Sequence, residues 1–293
     1  VVLVLLFFFL FNSQLSAQAF TELELVKVSQ LEEAYEKRFD LSGIVQTPDG
    51  KYYVIADMRH DRFIYEIVFD EDVWRIVDKI PVELPYERDN DFESLEYHAG
   101  HFYITDEIEH VVFRLDSGKL VEVPVNLSSM NENTLKWKTN TGFEGLAIDS
   151  KNKIMYLAKE REPRFLLKVE LETGEILAKF DVPQTESMDF SDLKFENGFL
   201  YAIERNGNYI TKIDPLTYQV VAKVSYRQTC TPPEGRLYSG AKYGMAEALL
   251  LQKDYIILGI DNNGLEVAPH AQKKYGISGK HPVILFFKRP AGF

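Results

Sequence analysis

The chain has a single cysteine, Cys230, in 293 residues. No intrachain disulfide can form, so the fold must rest on packing and sheet closure. The surrounding T-C-T-P-P-E offers neither a base nor a positive charge, so Cys230 reads as an inert loop thiol. Histidine is scarce: His60, His98, His101, His110, His270 and His281 show no ligand spacing, which disfavours zinc and copper. Positive charge is also short. Lys and Arg total 33 against 45 Asp and Glu, a net charge of −12, and no basic block occurs after residue 20. Nucleic acid and anionic lipid are therefore poor partners, whereas cations are good ones. There is no G-x-S-x-G elbow, H-E-x-x-H, P-loop or G-x-G-x-x-G, and no nucleophile–base constellation stands out.

The opening apolar run, V-V-L-V-L-L-F-F-F-L-F, has eleven residues. A bilayer-spanning helix needs about 20. The run leads into N-S-Q-L-S-A-Q-A, where Ala17-Gln18-Ala19 has the small-x-small form of a signal-peptidase site. Residues 1–19 are thus expected to be a signal peptide, truncated at its start because no initiator Met or basic n-region precedes the run. No Cys lies near the cleavage site, which disfavours a lipid anchor there. Residues 20–293 are expected to form one exported domain, secreted or periplasmic in the cell envelope, with no stable membrane span. With 45% apolar and 13% aromatic residues, the chain can fill a large core.

What is present is a repeat. L-S-G-I-V at Leu41, F-E-S-L-E at Phe92, F-E-G-L-A at Phe143, F-S-D-L-K at Phe190 and A-E-A-L-L at Ala246 are each followed by a turn and an apolar strand. The small third residues, Gly43, Ser94, Gly145, Asp192 and Ala248, are spaced by 51, 51, 47 and 56. A period of about 40–50 residues of strands and turns is the signature of a propeller blade. The fold class is therefore all-β, a five-bladed β-propeller. Hairpin turns fall at Asp49-Gly50, Ala99-Gly100 and Asn197-Gly198, where type I′ geometry would need positive φ at both central residues. The last blade is short of one strand in chain order. The N-terminal strand at 23–29 is expected to supply it, pairing with 283–289 and closing the ring, which removes exposed edges. Residues 30–38 are a candidate short helix. Two inserts, 126–141 and 228–244, are expected on one face.

The second repeat position is Glu93, Glu144 and Glu247 in three copies and Ser42 and Ser191 in the other two. Across each hairpin an acid ends the second strand: Asp57, Asp106, Glu160, Glu204 and Asp261. Inner strands of a propeller surround its channel, so these acids should converge at one mouth. Clustered carboxylates repel one another and raise one another's pKa. A hard divalent cation relieves this, and calcium accepts 6–8 oxygens. Glu93, Glu144, Glu247, Asp106 and Asp261 are the candidate metal ligands. Alternatively the glutamates cap backbone N–H groups or pair with Arg59, Lys159, Arg161 and Arg205.

G-F-E-G-L-A-I-D followed by Y-L-A-K-E-R-E-P-R-F-L-L-K-V, within 142–169, resembles the third blade of the SdiA-regulated family of five-bladed propellers. F-E-S-L-E-Y with I-T-D-E, F-S-D-L-K-F and A-E-A-L match its flanking blades in order. The repeats also resemble the related "esterase-like activity of phytase" domain, with D-N-N at Asp261. The resemblance covers about residues 38–290. It implies export to the envelope and calcium at a shared site, with Glu93, Glu144 and Glu247 as the best-matched ligands. It carries over no catalytic residue. The function read from this is an exported, calcium-binding scaffold for an unknown small molecule or envelope protein; the alternative is a calcium-dependent phosphoesterase.

Overall fold

The computed structural model describes residues 20–32, 39–70, 72–130, 141–161, 163–185, 187–230, 235–241 and 246–293. The expected leader at 1–19 lies outside the described residues, as does part of each insert.

The chain opens with β1 (Thr21–Glu22) and β2 (Leu25–Glu32). Four antiparallel meanders follow, each of four strands. The first is β3 (Leu41–Gln46), β4 (Tyr52–Ala56), β5 (Phe63–Asp70) and β6 (Val73–Pro81). The second is β7 (Phe92–His98), β8 (His101–Asp106), β9 (Val111–Asp116) and β10 (Lys119–Val123). The third is β11 (Phe143–Asp149), β12 (Ile154–Lys159), β13 (Phe165–Glu170) and β14 (Ile176–Phe180). The fourth is β15 (Leu193–Glu196), β16 (Phe199–Glu204), β17 (Tyr209–Asp214) and β18 (Gln219–Ser225). The chain ends on β19 (Ala246–Leu251), β20 (Tyr255–Ile260) and β21 (Val283–Lys288).

The N-terminal strand completes that last group. β2 runs antiparallel to β21, from Leu25 opposite Phe287 to Gln30 opposite Val283. It continues further than the sequence suggests, because Leu31 and Glu32 pair in parallel with Trp74 and Arg75 of β6. Residues 30–32 are therefore strand rather than the start of a helix, and Leu31 is buried by the extension. This short parallel link fuses the first and last groups into one eight-stranded sheet. β1 adds a tether that the sequence did not announce, pairing in parallel with β18. The long connection from β20 to β21 carries a helix, Pro269–Tyr275, which ends on a left-handed Gly276.

Hairpins fall where the turn residues put them, with one difference of type. Ala99-Gly100 and Asn197-Gly198 have positive φ at both positions (50° and 89°; 52° and 85°). At Asp49-Gly50 only Gly50 does (88°), and Thr47 closes the loop through bonds with Gly50 and Lys51. Pro48 explains this, since its fixed negative φ suits a wider three-residue loop.

The apolar core is divided between neighbouring sheets. Leu41, Ile44 and Val54 pack with Ala248, Ile257 and Ile284; Val45 and Ile55 pack with Phe92, Leu95 and Ile104. Equivalent clusters join the second meander to the third, the third to the fourth, and the fourth to the closing group. The first strand of each group contacts the next: β3 to β7, β7 to β11, β11 to β15, β15 to β19, and β19 back to β3. The small third repeat residue follows from this crowding. A Cβ on Gly43 would lie 2.7 Å from the Leu95 amide nitrogen, and one on Gly145 would lie 2.9 Å from the Leu193 side chain.

Candidate metal site at the channel mouth

The inner hairpins slip register at the repeat. The slips lie between Leu41 and Gly43, Phe92 and Leu95, Phe143 and Gly145, and Ala246 and Ala248. A bulge leaves its extra residue out of the ladder and re-aims the side chain. The displaced residues include Ser42, Glu93, Glu144 and Glu247, and all four line one cavity of about 690 Å³. The repeated glutamate thus has a structural cause: it occupies a bulge facing the channel mouth.

What lies across the hairpin differs between meanders. Asp57, Glu160 and Asp261, each just beyond its strand, reach the cavity as the hairpin spacing suggested. In the second and fourth meanders the position moves by one residue. Asp106 is fully buried, does not line the cavity, and accepts a bond from the Glu109 amide at 3.2 Å. The carboxylate that joins Glu93 and Glu144 is the next one, Glu107. Likewise Glu204 turns to Lys223 (3.0 Å) and the Ser187 amide (3.0 Å), and Arg205 faces the cavity. The expectation that every second strand ends in a cavity-facing acid is corrected there: these two hairpins close on two-residue turns, His98 opposite His101 and Glu196 opposite Phe199, and a count centred on so tight a turn stops one residue short of the cavity.

A further set of carboxylates was missed. Asp40, Asp91 and Asp189 stand immediately before their repeats and line the same cavity. The signal was present as D-L-S-G, D-F-E-S and D-F-S-D. The two serines at the second position act differently from the glutamates. Ser42 donates to the Phe92 carbonyl and Ser191 to the Ala246 carbonyl, each at 2.6 Å, so each clasps the next inner strand.

Among the described residues the cavity wall carries nine carboxylates and three arginines, Arg59, Arg161 and Arg205. Two groups of acids stand out, apart from Asp40 and Asp261. One surrounds the buried guanidinium of Arg205, which donates to Glu247 at 2.7 Å, to Asp189 at 3.1 Å, to Glu144 at 3.4 Å and to Glu160. Burial alone would lower the Arg205 pKa, but Glu247, Glu144 and Asp189 outweigh it and hold it well above its ordinary value. The other group is Asp57, Asp91 and Glu93 with Glu107 and Glu144. Asp57, Asp91 and Glu93 can present oxygens within 4.8 Å of one another, and so can Glu93, Glu107 and Glu144. Glu93 belongs to both triads.

In this second group the neighbours of a carboxylate are mostly other carboxylates. Burial, then the hydrogen bond and charge of Asp57, push Asp91 up to about 9. Burial and then the charges of Asp57, Glu144, Glu107 and Asp91 hold Glu93 well above the usual range. Burial likewise raises Glu107, Glu144 and Asp261, and takes Glu247 to about 7 against the pull of Arg205. Glu160 Oε2 and Glu247 Oε2 are buried without a hydrogen-bond partner. Among the described residues the acidic donors are all oxygen, and no His or Cys lines the cavity. This set fits a hard cation and not zinc.

At the third repeat position the channel is closed differently. Asp192 accepts from Ser94 Oγ (2.8 Å), the Leu249 amide (2.8 Å) and its neighbour Leu193 (2.8 Å), and lies 3.5 Å from Lys194. Lys194 in turn donates to the Leu95 carbonyl at 3.0 Å. This network ties three inner strands together below the acidic mouth.

Among the described residues no helix is long and apolar enough to cross a membrane. In comparisons with known proteins, no curated protein matches the chain. Among solved structures it is similar to glutaminyl cyclase from Myxococcus xanthus, at 12% identity and a TM-score of 0.59, covering 93% of this chain and 97% of that one. It also matches virginiamycin B lyase from Staphylococcus aureus, at 12% identity and a TM-score of 0.48, covering 89% and 98%. At such identities the first likeness is one of fold alone, a propeller-like all-β architecture of four-stranded blades. The profile of phytase-like proteins, described as esterase-like activity of phytase, matches residues 39–224. The chain belongs to this phytase-like family.

Proposed function

We propose that the protein is an exported five-bladed β-propeller of the cell envelope that binds a calcium ion at its channel mouth and uses the cavity beside it to hold a ligand or partner. The count of five rests on the closed series of inner-strand contacts. The likeness to SdiA-regulated propellers and the leader at 1–19 belong to the same reading. One observation carries the metal: two carboxylate triads, buried apart from the half-buried Asp57, share Glu93, with mutual oxygen distances within 4.8 Å. Asp57, Asp91, Glu107 and Glu144 supply the remaining oxygens. Glu247 serves Arg205, Asp261 lines the cavity outside both triads, and Asp106 leaves the set. Calcium suits the site better than magnesium, because it accepts many carboxylates in flexible geometry, whereas magnesium keeps its waters.

A second reading is favoured by Arg59 and Arg161, which line the cavity and could meet an anionic group beside the ion. In this reading the bound cation polarises an ester and the protein is a calcium-dependent phosphoesterase or esterase. Hydrolysis of phosphomonoesters, phosphodiesters and carboxylic esters, assayed with calcium and with EDTA, decides between the two. Calcium-dependent turnover lost in Glu93→Gln supports the enzyme. Calcium binding without turnover supports the scaffold. Absence of calcium binding removes both.

A further inference from the structure

Arg205 occupies the repeat position that holds an acid elsewhere: Asp57, Glu107, Glu160 and Asp261 in the other groups. It is the buried exception in a ring of carboxylates, and its guanidinium reaches acids from several blades. Glu144 and Glu160 come from the third meander, Glu247 from the closing group and Asp189 from its own. Asp189 is held in place by Asn206 at 2.7 Å and Ser187 at 2.5 Å. Arg161, half-exposed beside the cavity, pairs with Glu160 as well. A planar guanidinium with five fixed donors satisfies such a cage in a way a point charge cannot. Even so, two cage oxygens, on Glu160 and Glu247, are buried without a hydrogen-bond partner. The cage therefore has oxygen-donor capacity beyond what Arg205 uses.

We infer that Arg205 is a resident cation standing where a second metal ion would otherwise bind, so that it fixes the capacity of the channel mouth at one ion. The inference rests on the metal reading above. Without Arg205, Glu144, Glu160, Asp189 and Glu247 form an all-oxygen cage of the kind calcium accepts. Glu144 borders both halves, so the ion in the Glu93 half and the arginine in the other share one wall. The arginine also sets specificity by charge. It cannot leave or exchange, so half of the site keeps one compensating charge when calcium is removed.

The test is calcium stoichiometry, measured by calorimetry and by metal content after gel filtration. Wild type is expected to bind one equivalent, Arg205→Gln two, and Arg205→Lys one. Arg205→Gln that folds and still binds one equivalent overturns the inference and leaves the metal reading standing. Wild type that binds none while Arg205→Gln binds one overturns the metal reading and with it the capacity of one ion, leaving only the arginine's place in a cation site. Should Arg205→Gln fail to fold without calcium, Glu247→Gln keeps the question open to refutation. Its carboxylate serves Arg205, so calcium affinity should fall by no more than about threefold, the effect of one charge at longer range. A loss of about tenfold or more, as for a group that supports the ion directly, would put Glu247 in the metal shell and overturn the division.

Discussion

Asp192 and Glu93 are both buried carboxylates of the repeat, one position apart in register, and they have opposite needs. Asp192 is surrounded by donors: a serine hydroxyl, two backbone amides and a nearby lysine. Burial raises it to about 6, with each of these partners pulling back. Glu93 is surrounded by Asp57, Glu144, Glu107 and Asp91, and every one of them raises it further. Burial of a carboxylate therefore does not by itself mark a binding site. What marks the mouth is burial without internal donors, next to a throat where the same fold supplies them. The mouth is completed from outside the chain, by protons or by a cation; the throat is complete when folded.

The Arg205 half is the sharpest place to break this contrast, because there the cation is built in. In EDTA, Arg205→Gln should lose about 3–5 kcal/mol, the usual cost of removing one partner from a buried ion cluster. Urea unfolding measures it, and a loss below about 1 kcal/mol would mean the cluster behaves like an exposed surface pair. Next in size is calcium itself. At a hundredfold excess over Kd it should stabilise wild type by about 2.7 kcal/mol. Glu93→Gln should remove most of that gain, since Glu93 sits in both triads. The throat should respond to mutation but not to metal. Asp192→Asn exchanges an acceptor-only group for one that donates, and should cost about 1–3 kcal/mol. That cost should be the same with calcium and with EDTA; a calcium-dependent cost would merge throat and mouth into one site.

A further check is the effect of pH. Asp91, Glu93, Glu107, Glu144, Glu247 and Asp261 have folded pKa values raised above their unfolded ones, so the metal-free folded state holds more protons in that interval. Stability then falls as pH rises, from the ordinary carboxylate range through about 7 for Glu247 and about 9 for Asp91. Calcium replaces the protons, so its stabilisation should grow over the same interval. Melting temperatures between pH 5 and 9, with and without EDTA, check both slopes. A metal-free melting temperature that rises with pH would contradict the direction.

Much of the fold was legible because a propeller repeats its local instructions. The strands after Gly50, Gly100 and Gly198 follow from turn residues and alternation, and β2 could be placed by counting what the last group lacked. The parallel link of Leu31–Trp74 was not legible, since two paired residues leave no periodic trace. In the site, Glu93, Glu144 and Glu247 were found by repetition and do line the cavity. Asp106 and Glu204 were chosen over Glu107 and Arg205 because the count was centred on each turn, and these two hairpins have two-residue turns while the others have longer loops. Loop length sets that count, and the pairing at a turn is a backbone property that the repeat itself does not spell out. Asp91 and Asp189 were visible as the acid before the phenylalanine, but no strand count pointed to them. The role of Arg205 depends on acids distant in sequence that only the closed ring brings together.

The central claim, that the mouth is completed by a divalent cation at Glu93, is tested most directly by titrating calcium into metal-free wild type and Glu93→Gln. Calorimetry at pH 7 in two buffers of different ionisation enthalpy also counts the protons released. The account predicts one saturable equivalent in wild type, net proton release as Asp91 and Glu93 give way to the ion, and affinity at least about tenfold weaker in Glu93→Gln. No saturable heat in wild type, together with a melting temperature that is the same in calcium and in EDTA, would contradict it.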